Sequence, residues 1–239
     1  MPIGRGRPGV YEAYLSDTAV NDKLTFGASI MMQMERALLR TLSQSRLEPY
    51  VRQSQGDFAL AIQMYEQNLS ASEAFHSSLH SVEIALRNVV DGAMVDHFGA
   101  DWFKNDDVLK PDSLDEISKA RAKLQKVAED RLHGSLVAEL SFGFWVGLLG
   151  PRYDEQLWRR ALHRGFSSGG RKLRRTDVHS RFNMIRRFRN RVAHHEPIWD
   201  KDLIGLHREI LEAVGWMCPV TANWTAALSR VPAVVGTRS

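Results

Sequence analysis

From Met34 onward, apolar residues recur at helical spacing almost throughout, and no stretch alternates as a half-buried strand does. The clearest repeat is Phe75, Leu79, Val82, Leu86, Val89 and Ala93, spaced alternately by four and three. That spacing makes one apolar seam, as in a helix bundle. Ser70-Ala71-Ser72-Glu73 has the form of a capping box and predicts that this helix starts there. Before it, Asp57 is placed to cap a helix over 58–68 on Phe58, Ile62 and Tyr65. After it, the pattern predicts a polar helix over 113–132, a buried apolar helix over 136–149 and a short helix over 153–162. A loop over 165–170 then leads to a basic helix from about Asp177 to His194 or His195. A last long helix over 203–217, capped by Asp200, uses Leu206, Ile210, Val214 and Met217 as its inner face. The predicted fold class is all-α, a multi-helix bundle without a sheet. Residues 1–33 read as a flexible extension, with Met31, Met32 and Met34 as alternative starts. Residues 34–230 read as a single domain and 231–239 as a frayed tail.

Composition changes this picture little. The chain has 239 residues, ample for a core, and lacks any collagen-like or disordered bias. Its one cysteine, Cys218, excludes an internal disulfide framework and fits a reducing compartment, so a cytoplasmic location is expected. No apolar run reaches the roughly 18–20 residues of a membrane span, and no membrane partner is expected. No glycine-rich phosphate loop and no zinc-type cysteine spacing occurs.

Charge changes it more. The net charge is only +4, yet 171–191 holds nine basic side chains against the single acid Asp177. The rest of the chain is therefore net acidic. A local basic field on such a body points to an anionic partner, with nucleic acid the better fit. Solvation of a charged helix face is the simpler alternative.

The candidate chemistry sits at the end of the basic helix, in Arg186-Arg187-Phe188-Arg189-Asn190-Arg191-Val192-Ala193-His194-His195-Glu196-Pro197. Guanidinium groups bind phosphate through a planar, permanently charged fork, and a histidine moves protons near neutral pH. Basic residues at a helix C-terminus also simply complement the macrodipole. At about 100° per residue, Phe182, Ile185, Phe188 and Val192 form the packing face and Arg189 lies about 50° from its centre. A half-buried Arg189 calls for a half-buried acid, and Glu83, set into the apolar seam beside Arg87 and Asn88, is the best candidate. A surface Glu83–Arg87 pair is the competing arrangement. His194 lies roughly 170° from the packing face, with Asn190 and Arg186 leaning the same way. Turned from its own core, it needs a second surface to form a cleft, which argues for a homodimer. Glu73, His76 and His80 have part of a dimetal spacing, but no second copy exists and no metal is expected. A zinc-protease motif is excluded because Pro197 follows Glu196.

Three ordered blocks across about residues 45–225 resemble the Abi-like (abortive infection) branch of the HEPN ribonuclease superfamily. They are Val82-Glu83-Ile84-Ala85-Leu86-Arg87-Asn88, Leu140-Ser141-Phe142-Gly143-Phe144-Trp145 and Phe188-Arg189-Asn190-Arg191-Val192-Ala193-His194-His195-Glu196-Pro197-Ile198. Within the last, Arg189 to His194 is similar to the R-x4-H signature with a polar residue after the arginine. The resemblance implies an all-helical bundle, homodimerisation and metal-independent endoribonuclease activity without a cofactor, at a site shared by two subunits. It also implies a phage-defence or toxin–antitoxin setting, with an RNA or protein antitoxin as a further partner. Carried over by position, Arg189 and His194 are the catalytic pair and Asn190 the accompanying polar residue. Glu83, Arg87, Asn88 and His195 are supporting residues. Arg171, Lys172, Arg174, Arg175, Arg186 and Arg191 are expected to hold the RNA backbone. Some HEPN toxins carry a tyrosine, modified by their antitoxin, where this chain has Glu196, so that form of regulation is not implied. A non-catalytic HEPN module binding RNA or a protein partner is the alternative, and a purely structural dimer a third.

Overall fold

A computed structural model of the chain describes residues 23–236. The expected extension over 1–22 and the tail over 237–239 lie outside the described residues. The described chain is all-α, as the periodicity predicts: α1 (Lys23–Leu42), α2 (Gln44–Gln53), α3 (Phe58–Phe98), α4 (Pro111–Lys123), α5 (Glu129–Glu139), α6 (Phe142–Leu148), α7 (Arg175–Ala193), α8 (Leu203–Met217), α9 (Pro219–Leu228) and α10 (Val231–Val235). One small departure from a sheet-free fold is an antiparallel hairpin of β1 (Ser167–Ser168) and β2 (Arg171–Lys172). Gly169 and Gly170, at φ 54 and φ 78, supply the two left-handed positions of a two-residue hairpin turn. The loop expected over 165–170 is thus a tight turn that projects Arg171 and Lys172 into solvent.

Several boundaries differ from the sequence reading, each for an identifiable reason. Helix α1 begins at Lys23, inside the stretch expected to be weakly structured. The capping box at Ser70 does not open a helix. Ile62, Ala71 and Phe75 are all buried, so helical phase runs unbroken through it, and Glu73 pairs with Arg230 at 3.0 Å instead. Asp57 does cap α3, accepting from Leu60 N–H at 3.0 Å. The apolar seam drifts by one residue after Leu86, so Val90 and Met94 are fully buried where Val89 and Ala93 were expected. A straight helix of 3.6 residues per turn drifts in this way against a seven-residue repeat. The helix expected over 136–149 breaks at Ser141, whose hydroxyl caps α6 by accepting from Phe144 N–H at 3.1 Å. The region over 153–162 forms 3-10 and π turns, Pro151–Tyr153 and Asp154–Trp158, in place of a regular helix. Asp202, not Asp200, caps α8, accepting from Gly205 N–H at 2.8 Å. The tail is ordered as far as α10, because Val231 and Val235 are buried.

The chain divides into two compact units between Ala71 and Ser72, inside α3. The apolar seam is continuous there, so nothing in the sequence marks the boundary. In the first unit, α1 packs on α2, and Tyr50 meets Tyr65 edge-to-face at 5.4 Å. In the second, α7 lies against α6 and α8, and α9 and α10 close on α8. Phe188 of α7 meets Phe75 of α3 edge-to-face at 4.7 Å, and Phe182 meets Phe166 at 5.8 Å. These aromatic contacts bury the inner face of α7 and fix its rotation about its own axis.

Candidate functional site

The inner face of α7 is Val178, Phe182, Ile185 and Phe188, all buried. Arg189, next in sequence, is tilted just off it. Its Nε donates to Glu83 Oε2 at 3.2 Å, with side-chain exposures of 38% for Arg189 and 27% for Glu83. The acid that phasing assigned to Arg189 is the one it meets, and the competing Glu83–Arg87 surface pair is not the arrangement formed. Arg87, one turn further along α3, keeps its Nε buried without a hydrogen-bond partner. Asn88 is exposed and Asn190 half-buried.

His194 caps the C-terminus of α7, its N–H donating to Asn190 O at 2.9 Å, and it is exposed. The helix ends in a Schellman motif. His195 N–H donates to Val192 O at 3.1 Å, and Glu196 N–H donates to Arg191 O at 2.8 Å. The position after the cap normally takes glycine, because its φ is positive. Here it is His195, at φ 57. A non-glycine residue held there costs on the order of 1 kcal/mol, and such strain concentrates at functional sites. Pro197 and the fully buried Ile198 then fix the exit of the chain.

Around the helix axis, Arg189 and His194 of one chain are separated by about 140°, and along it by about 7.5 Å. Glu73, His76 and His80 do not gather into a metal-holding group. Glu73 takes Arg230, while the two imidazoles stack with centroids 6.3 Å apart. Among the described residues, no group of three or more His, Cys, Asp or Glu side chains is arranged to hold a metal ion.

No family model, curated protein or solved structure matches the chain.

The basic run is much less cationic than its sequence. Arg175, only 13% exposed, is clamped by Asp154 at 3.1 Å and donates to Leu149 O at 3.2 Å. It ties the start of α7 to the segment before it and is mostly buried, where it was expected to hold the RNA backbone. Arg191 is likewise committed. It donates to Pro197 O and reaches Asp200 at 3.4 Å, tying down the segment that follows the Schellman turn. Arg174 is exposed but paired with Asp177 at 2.9 Å. Arg181, 17% exposed, lies over the Trp216 ring between Glu209 and Glu212. Of the expected backbone contacts, Arg171, Lys172 and Arg186 have no carboxylate partner among the described residues, and Arg187 joins them.

Sequence reasoning missed two residues beside Arg186. Asn183 Oδ1 accepts from Arg186 Nη2 at 2.9 Å and from Nε at 3.2 Å. His179, half-buried, has its pKa lowered first by burial and then by the charges of Arg175 and Arg186. The signal was available in the spacing. Positions 175, 179, 183, 186, 190 and 194 fall within an arc of about 100° on α7.

Proposed function

We propose that this chain is a metal-independent endoribonuclease whose working unit is a homodimer. The observation that carries this reading is the Arg189–Glu83 pair, which holds a guanidinium half-buried beside Asn190 on a helix that ends in an exposed His194. In the proposed reaction, the 2′-hydroxyl of single-stranded RNA attacks the adjacent phosphate. His194 moves the proton, and Arg189 stabilises charge on the phosphate oxygens. Because the two groups of one chain point about 140° apart, Arg189 of one subunit would act with His194 of the partner subunit. Asn190 orients the phosphate, and the strained His195 holds the cap from which His194 projects. The products carry a 2′,3′-cyclic phosphate and a 5′-hydroxyl. A defence or toxin–antitoxin role in a reducing, cytoplasmic setting fits this chemistry and the resemblance of the three sequence blocks. No helix among the described residues is long and apolar enough to cross a membrane.

One observation favours the rival reading, a binding module without chemistry: the Nε of Arg189 is already donating to a carboxylate. A single assay separates the two. Purified wild type and His194→Ala are incubated with labelled single-stranded RNA in EDTA, and the products are analysed for cyclic phosphate. Cleavage by wild type, lost in His194→Ala with RNA binding retained, supports the enzyme. Binding without cleavage by either protein supports the module, and equal cleavage by both removes His194 from the mechanism.

A further inference from the structure

Each arginine on α7 outside its C-terminal cluster is answered by a carboxylate: Arg175 by Asp154, and Arg181 by Glu209 and Glu212. Arg186 is different. Its guanidinium is gripped on the Nε/Nη2 edge by the side-chain oxygen of Asn183, a neutral group that fixes its plane without cancelling its charge. The Nη1 end of the fork keeps its donors. An oriented but uncompensated cation has already lost much of the side-chain freedom that ligand binding would otherwise cost. Its neighbour Arg187 is exposed, with no such support.

Two further features surround this guanidinium. One turn before Asn183 on the same stripe is His179, whose imidazole is held toward the neutral form by burial and by Arg175 and Arg186, with Asp154 offsetting part of the Arg175 charge. A neutral imidazole offers one N–H donor, and an arriving anion would favour its protonation. Opposite lies the start of α6. Gly143 leaves the wall low, since a Cβ built there would stand 3.9 Å from Arg186 Cδ and 3.5 Å from Ser141 Oγ. The stripe is continuous with Asn190 and His194, and Arg186 precedes His194 by eight residues, about 12 Å of helix.

We propose that His179, Asn183 and Arg186 form a second anion subsite on α7, one that takes a backbone phosphate of single-stranded RNA near the phosphate held at Arg189 and His194. The proposal rests on the ribonuclease reading for the identity of that neighbouring phosphate, but the subsite binds whether or not the chain cleaves. Asn183 aims the guanidinium, Arg186 supplies the charge and His179 the second donor. An acidic peptide lacks the tetrahedral oxygens that an end-on fork and an imidazole engage from two sides, and is the less suited ligand.

The test measures binding, in EDTA, of a fluorescent 2′-O-methyl single-stranded RNA, which lacks the attacking hydroxyl. Full-length wild type is compared with Arg186→Gln, Gly143→Asp and Arg187→Gln at several salt concentrations. Gly143→Asp sets a carboxylate against Arg186 while removing no subsite residue, and an acid in the first turn of α6 suits the helix dipole. Both Arg186→Gln and Gly143→Asp are expected to weaken binding about tenfold. Each should also flatten the dependence of log affinity on log salt by about 0.7, one phosphate contact in a single strand. Arg187→Gln should do less on both counts. Wild-type-like binding by the two variants, losses no larger than those of Arg187→Gln, or no RNA binding by wild type would overturn the subsite. So would Arg186-dependent binding of poly-glutamate in place of RNA. If the variants behave as expected but the wild type leaves cleavable RNA intact, the subsite stands and the ribonuclease reading falls.

Discussion

At the start of α7, Arg174, Arg175 and Arg181 lie against Asp177, Asp154, Glu209 and Glu212, and the last two arginines are mostly buried. At its end, Arg186 meets an amide and Arg187 meets solvent, while Arg189 meets Glu83 and Arg191 reaches Asp200. The same residue type thus serves two ends. In the first half it staples α7 to its neighbours. In the second, Arg186 and Arg187 keep their charge at the surface. Counting basic residues along the sequence overstates the cationic field, because carboxylates answer four of the six arginines of α7 and, among the described residues, leave only Arg186 and Arg187 without one.

Substitutions on the two halves should separate these roles. The largest expected effect is on chemistry at the far end. His194→Ala should lower RNA cleavage by about 10²- to 10⁴-fold, the usual contribution of a general acid or base, with no change in melting temperature. At the near end the pattern should reverse. Arg175→Met leaves Asp154 to Arg159 alone and removes the donor to Leu149 O, and should cost about 1–2 kcal/mol in denaturant unfolding, with cleavage measured below the melting transition unchanged. If Arg175→Met removed activity while leaving stability intact, the division between the two halves would be wrong.

The Glu83–Arg189 pair could be anticipated because both residues sit on strongly periodic helices, so angular position alone brought each toward the core. The clamps on Arg175 and Arg181 could not. Their acids lie 21 residues before Arg175 and 28 and 31 residues after Arg181, on a π turn and on a separate helix. No local spacing encodes such a meeting. The capping box at Ser70 misled for a related reason. A box acts only where the preceding chain leaves the helix, and the burial of Ile62 and Ala71 keeps it helical. Asp200 was the expected cap of α8, but the helix begins at Leu203, so the residue at its N-cap is Asp202, whose carboxylate accepts from Gly205 N–H.

The remaining tests are subtler. His207 is buried against Phe75, and burial lowers its pKa. Burial and two arginines do the same for His179. Each therefore takes up its proton later in the folded state than in the unfolded chain, whose histidines titrate near 6.5. Stability should be full above that pH and fall as the pH drops below it. Urea midpoints measured across this range should decline toward acid, and His207→Leu should flatten the decline. An unchanged slope would place the titrating group elsewhere. The smallest effect is expected at the helix cap, where His195→Gly relieves the positive φ. It should stabilise the fold by about 0.5–1 kcal/mol, seen as a raised melting temperature. A lowered melting temperature would mean that the His195 side chain contributes more than its backbone costs.

The central claim is that Arg189 and His194 act together only across two subunits, and subunit mixing tests it most directly. Arg189→Gln and His194→Ala, each inactive alone, are mixed, allowed to exchange, and assayed for RNA cleavage in EDTA. Random exchange makes half of the dimers mixed, each with one intact site of two, so activity should recover to about a quarter of wild type. A mixture no more active than either parent, at concentrations where sedimentation shows mixed dimers, would contradict the composite site.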